Sequence, residues 1–426
     1  MSTNDTNTSV RARITRAAHV AHVPRSIARR PRNVRRGALG VACAVATALS
    51  TALSSAAFAG PNEQAARLYN RIAGVPPSAS ELQQMSADIS NGNAMGAAAV
   101  ATNSPSFYNT VLKNWAMPWT NRDETVFAPL NDYVATVIGM VRDNVPFNTA
   151  LSADILYMSN APGLPAPSNA NNNHYATAEA NNVDLQSTLV QTTQSGTYGI
   201  PSAATAGLIT TRASASSFFI LGTNRAMFRF TLIAHLCNDM PQVSDITRPP
   251  DRIRQDVSRS PGGDSQTFLN TCIGCHSGMD PMAQAFAYYN FVGTVVGDGL
   301  NTGSLQYTPG QVQPKYHINA TNFPQGFVTP DDSWTNHWRQ GPNQILGWSA
   351  SLPGSGSGAK SLGQELENST AFAACQVQKV FQAVCYRPPT TAADFTQAAQ
   401  MQSDFASGGY SLKQMFQEAG VYCMGT

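Results

Sequence analysis

Charge is scarce in this 426-residue chain. Asp, Glu, Lys and Arg supply 12% of it, about half the share of an average soluble domain. The formal net charge of +2 also hides an asymmetry. Residues 1–59 carry nine of the 27 basic residues and a single acid, Asp5, which leaves 18 basic and 24 acidic residues, a net −6, for 60–426. An acidic body of this kind does not suit non-specific nucleic-acid binding, so no nucleic-acid partner is expected. Long apolar runs are missing as well. Beyond the N-terminus nothing approaches ~18 consecutive apolar residues, which excludes a second membrane span. Hydrolysis and phosphoryl transfer find no support, because there is no Ser-His-Asp constellation, carboxylate pair or phosphate-binding glycine loop.

The N-terminus has the order of an export signal. Arg29–Arg36 is a basic cluster, Gly37–Leu53 is small, apolar and uncharged, and Ala57-Phe58-Ala59 offers a small-x-small cleavage site before Gly60. Residues 1–59 are therefore expected to be a signal peptide, with an uncleaved anchor as the alternative. Arg35-Arg36 is a weak twin-arginine match, and general secretion is preferred because the chemistry below needs an unfolded chain delivered across the membrane. The body is expected in the periplasm, at the cell surface or secreted, in an oxidising compartment.

Histidine and cysteine are few, seven of each, and their placement carries most of the information. Cys272-Ile273-Gly274-Cys275-His276 is C-x-x-C-H, the attachment signature of a c-type haem. Two thiols three residues apart on one helical turn can add to the two vinyl groups on one edge of the porphyrin. The next residue, His276, then projects over the ring as the axial iron ligand. A thioredoxin-like reading would need a strand-to-helix setting, and none is evident. A zinc reading would need further ligands, and no second C-x-x-C or H-x-x-x-H exists. One covalently held haem c is the expected cofactor.

Four regions follow the leader. Residues 60–160 are expected to be a helical domain: Ala65, Leu68 and Ile72 share a helix face, Ser78-Ala79-Ser80-Glu81 is a capping box, and Val134, Val137, Ile138 and Val141 recur with helical period. Residues 161–204 are rich in Asn, Ala and Pro without an apolar period, and predict a long loop or linker. Residues 205–358 open with an apolar helix at about 223–237 and form the haem-binding, cytochrome c-like region, with an irregular Gly- and Pro-rich stretch after 300. Residues 359–426 return to helix, with Phe372, Val380, Phe381 and Val384 on one face and Ser411 capping a last helix bearing Leu412, Met415, Phe416 and Ala419. The class is mainly α, a helical cytochrome c-like haem region flanked by helical domains and long irregular loops.

Haem takes two of the six cysteines beyond the leader and leaves Cys237, Cys375, Cys385 and Cys423. Cys375 and Cys385, ten residues apart on one predicted helix, would stand ~15 Å apart, beyond disulfide reach. They are expected to pair with Cys237 and Cys423 in some order; four free buried thiols are the alternative. The distal iron ligand is open. No Met lies between Met282 and Met401, and Met279 is on the proximal side, so His317 comes first, with His337, Met240, Met401 and Met415 behind it, or an open iron. His235 is expected to be a core or helix-end residue and His174 to face solvent.

The stretch from Arg225 through Leu236-Cys237 and Pro241, followed by Cys272-Ile273-Gly274-Cys275-His276-Ser277-Gly278-Met279-Asp280-Pro281-Met282-Ala283, resembles the planctomycete-type cytochrome c proteins, exported bacterial chains built around one C-x-x-C-H-x-x-M-D-P segment. Val141-Arg142-Asp143-Asn144-Val145-Pro146-Phe147 is similar to the family's upstream helical part, and Phe372-Ala373-Ala374-Cys375 with Arg387-Pro388-Pro389 to its closing domain. Where the family has an acidic segment after the motif, this chain has Tyr288-Tyr289-Asn290-Phe291, and Cys385-Tyr386-Arg387 adds a cysteine. The resemblance implies a haem protein with no fixed reaction. Asp280-Pro281 is expected to stop and restart a helix beneath the haem, with Asp280 as a cap and Met279 packed on the haem edge. An electron-transfer cytochrome with a transient redox partner protein is the first expectation. A haem oxidoreductase or peroxidase subunit is the second, and a cell-surface protein using haem as a folding staple the third.

Overall fold

In the computed structural model the described residues are 59–220, 222–257, 266, 268–294, 302–317 and 320–425, so the leader lies outside them. Local signals set most helix boundaries. α1 (Pro61–Ala73) has Pro at its first position and ends on Gly74 in the left-handed conformation, and it buries Ala65, Leu68 and Ile72. α2 (Ala79–Ser90) opens on the expected capping box: Ser78 Oγ accepts from the Glu81 N–H, and Glu81 Oε2 accepts from the Ser78 N–H at 2.8 Å. α3 is Ala94–Thr102 and α4 is Asp132–Arg142. The four predicted apolar positions of α4 are buried, but so is every residue from Asp132 to Val141, which makes it a central helix.

Residues 161–204, expected as loop or linker, hold α5 (Asn173–Ala180) and β2 (Leu189–Thr192), which pairs antiparallel with β1 (Leu156–Ser159). Polar side chains do the anchoring that an apolar period would do elsewhere. Asn172 Nδ2 donates to the Leu130 carbonyl at 2.8 Å, and Glu179 accepts from the Leu130 N–H at 2.7 Å and pairs with Lys113. That is why hydrophobic patterning missed these elements.

α6 (Arg212–Phe218) and α7 (Arg225–Leu236) follow, then α8 (Ile273–Ala283), which carries the cysteine motif. β3 (Tyr289–Thr294) with β4 (Thr302–Tyr307), and β5 (Ser333–Thr335) with β6 (Ser355–Ser357), are short antiparallel ribbons in otherwise irregular chain. α9 (Gly358–Glu367), α10 (Thr370–Cys385), α11 (Ala392–Ser407) and α12 (Leu412–Cys423) close the fold. Ser411 caps α12 as expected, and Leu412, Met415, Phe416 and Ala419 are buried.

The class is mainly α, as expected. The first and last helical regions are one body, and residues 55–426 form a single compact unit. Arg71 Nη1 donates to the Val384 carbonyl at 2.9 Å, Gln417 Nε2 to Thr102 Oγ1 at 2.9 Å, and the rings of Phe107 and Phe416 lie 5.0 Å apart. Both disulfides expected from spacing are formed. Cys237, the left-handed C-cap of α7, bridges to Cys375 on α10, and Cys385 at the end of α10 bridges to Cys423 at the end of α12.

Candidate functional site

A π-helical turn, Phe268–Cys272, runs directly into α8. Such turns are rare and concentrate at functional positions. It delivers Cys272 and Cys275 one helical turn apart, both partly exposed and both unbridged, while the other four described cysteines are paired. The Cys275 thiol donates to the Met240 carbonyl at 3.4 Å, and burial pushes its pKa up, so it stays a thiol at neutral pH. Beside the motif sits a small apolar cluster separate from the main core: Ile253, Val257, Phe268 and Ile273, with Cys272 against it.

His276 is held by its neighbour one turn on. Nδ1 lies 3.0 Å from Asp280 Oδ2, so the ring donates there, and Nε2 has no hydrogen-bond partner among the described residues. Asp280 is fully buried. Arg225, the first residue of α7, grips it with Nε at 2.6 Å and Nη2 at 3.1 Å, and turns Nη1 to Asp256 at 2.7 Å. Arg254, itself fully buried, stands 3.6 Å from Asp280 Oδ1 and donates Nη2 to the Asp280 carbonyl at 2.9 Å. Burial pushes the Asp280 carboxyl up, but Arg225, His276 and Arg254 outweigh it and hold it well below the usual carboxylate range.

This corrects the expectation for Asp280-Pro281. α8 runs through both residues without a stop, and Asp280 caps nothing. The i, i+4 spacing puts the His276 and Asp280 side chains on one helix face, where charge pairing outcompetes capping. Met279 packs into the main core, against which Cys275 also lies, while Cys272 lies against the small cluster. Gly278 allows a close approach: a Cβ there would stand inside the indole of the fully buried Trp338. On the other side of the helix Ser277 Oγ donates to the Asp245 carbonyl at 3.0 Å, and the Asp245 N–H to the Gly274 carbonyl at 3.0 Å.

The candidate distal ligands are scattered through the fold. His317 ends the Pro314–Tyr316 turn and is exposed. His337 Nε2 lies 2.8 Å from Asp251 Oδ2. Met240 meets the motif through its backbone carbonyl, and Met401 and Met415 are buried in the main core on α11 and α12. His235 is a core residue in the last turn of α7, as expected, with Nε2 2.7 Å from the Tyr133 hydroxyl. His174 was expected in solvent and is buried: Nε2 accepts from the Ser159 N–H at 3.1 Å and Nδ1 donates to the Pro165 carbonyl at 2.7 Å. It is buried on α5 beside Tyr175 and Ala178, which enter the main core.

Sequence reasoning missed the roles of Arg225, Arg254 and Asp256. Only the four-residue step from His276 to Asp280 signalled this network in advance; the guanidinium groups of Arg254 and Arg225 arrive from 26 and 55 residues before Asp280. Among the described residues no group of three or more His, Cys, Asp or Glu is placed to hold a metal ion. The donor set is one imidazole nitrogen and two thiols beside an apolar wall. That set fits a metal carried in its own macrocycle, with the thiols free for carbon–sulfur bonds. Compared with protein-family models, with curated proteins and with solved structures, the chain matches none.

Proposed function

We propose that this chain is an exported monohaem c-type cytochrome that transfers electrons. Cys272 and Cys275 would hold haem through one carbon–sulfur bond each, the S–H adding across a vinyl C=C with the proton going to the neighbouring vinyl carbon, so that no oxidant would be needed. His276 would ligate the iron through Nε2, and the group would supply one-electron chemistry. The carrying observation is the coincidence of two unbridged thiols with an adjacent imidazole whose Nδ1 is committed to Asp280. A carboxylate that accepts from one imidazole nitrogen fixes the tautomer and aims the other nitrogen. Export is supported by the leader and by two disulfides, which persist outside the cytoplasm. No described helix is long and apolar enough to cross a membrane. The net −6 of residues 60–426 suits a basic redox partner bound transiently.

The test is maturation with a cytochrome c assembly system, followed by denaturation and acid–acetone extraction. Porphyrin colour and mass retained on the wild-type chain, and lost in Cys272→Ala/Cys275→Ala, support the reading; extractable or absent porphyrin overturns it. A ferric spectrum that cyanide and peroxide leave unchanged assigns electron transfer, whereas a high-spin iron that binds them assigns the haem oxidoreductase alternative. His317→Ala and His337→Ala then identify or remove each distal candidate.

A further inference from the structure

Arg225 and Arg254 hold the Asp280 carboxylate against His276 from two segments, and neither is needed merely to end or cap a helix. Resting on the haem reading above, we propose that Asp280 is a positioning residue that lowers the reduction potential of the haem iron through the His276 ring. Three observations carry it. First, Asp280 Oδ2 accepts from His276 Nδ1 at 3.0 Å in a site where Asp280 is fully buried, so water does not compete for that bond. Second, the carboxylate cannot swing away: Arg225 binds both its oxygens, at 2.6 and 3.1 Å, and Arg254 holds the Asp280 carbonyl at 2.9 Å. Third, Arg225 is shared. Its second edge is occupied by Asp256 at 2.7 and 3.2 Å, so one guanidinium is divided between two carboxylates. A hydrogen bond to an anion draws the Nδ1 proton away from the ring and makes Nε2 a stronger donor. A stronger donor favours the ferric over the ferrous ion, because the extra positive charge gains more from it. The proximal pair therefore makes the reduced protein a better electron donor than one whose axial His bonds a neutral group.

Replacing such a partner changes metal-site equilibria by roughly ten- to a hundredfold. At about 59 mV per tenfold for one electron, this is about 60–120 mV. The experiment compares potentials of assembly-matured wild type, Asp280→Asn and Asp256→Asn by spectroelectrochemistry. Asp280→Asn should raise the potential by that amount. Asp256→Asn frees Arg225 to neutralise Asp280 and should raise it by a smaller step. A haem-bearing Asp280→Asn protein with the wild-type potential overturns the inference and leaves the haem reading standing. If Asp280→Asn does not fold, Asp256→Asn decides alone: a rise supports the inference and an unchanged potential overturns it. Wild-type protein without covalent haem overturns both.

Discussion

Replacing Arg225 by Met keeps most of the side-chain volume and removes the charge that binds two carboxylates. Asp280 is fully buried and Asp256 is one-tenth exposed, so both would face a low-dielectric surrounding, with Arg254 at 3.6 Å and the His276 ring at 3.0 Å left beside Asp280. Breaking a buried pair from one side costs about 3–5 kcal/mol, since the remaining charge is uncompensated. The loss should be pH-dependent, with a definite sign. The Asp280 carboxyl is held below its unfolded value in the native chain. That stabilisation is present at pH values above the unfolded carboxylate pKa of ~3.9 and disappears as pH falls toward the folded value. Arg225→Met should therefore lower unfolding free energy by about 3–5 kcal/mol at pH 7, and the gap to wild type should narrow below about pH 4. Urea unfolding followed by circular dichroism at pH 7, 5 and 3.5 measures it. A loss under about 1 kcal/mol, or one of equal size at all three pH values, refutes the placement of a charged Arg225–Asp280 pair behind His276.

Gly278→Ala forces a methyl group into the Trp338 ring, an overpacking that should cost about 1–3 kcal/mol and show as a lower Tm with altered tryptophan emission; an unchanged Tm contradicts the contact. Burial pushes the Glu367 carboxyl up to about 8 despite the N–H of Leu151 and the hydroxyl of Ser152. Because that pKa is raised above its unfolded value, the stabilisation is full below about pH 4.5 and fades as pH rises toward 8. Glu367→Gln should flatten this fall, and parallel pH–stability curves for the two proteins would speak against it. The Cys237–Cys375 bridge closes 138 residues and Cys385–Cys423 closes 38, so the double Ser variant of the first should lose about 1 kcal/mol more stability than that of the second; equal or reversed losses in denaturant titration count against loop entropy as the source. Alkylation of denatured, unreduced apoprotein should label, among the cysteines after residue 59, Cys272 and Cys275 alone, and a tryptic peptide bridging either of them to another cysteine would show the pairing to be different.

Much of the fold was legible locally. The capping box at Ser78 and Glu81, the Ser411 cap and the apolar faces of α1, α10 and α12 rest on contacts within one or two turns, where sequence spacing and spatial spacing coincide. The disulfide pairing was half legible: a distance limit removed Cys375–Cys385 but could not order the other two pairs, because that depends on which helices pack together. The polar segment 161–204 defeated hydrophobic patterning, since its few core residues, Tyr175, Ala178, Leu185 and Leu189, recur without a period and side-chain amides and His174 add the remaining anchors.

Sequence alone determined the attachment chemistry proposed for this protein, because C-x-x-C-H places both thiols and the imidazole on consecutive turns of a single helix, whatever that helix packs against. It also determined the acidic charge of the body, which is a sum over the chain. Tertiary structure decided what surrounds the imidazole. Asp280 is four residues away, but Arg225, Arg254 and Asp256 come from other segments, and the two guanidinium groups act on Asp280 because the fold brings them to a carboxylate from which water is excluded.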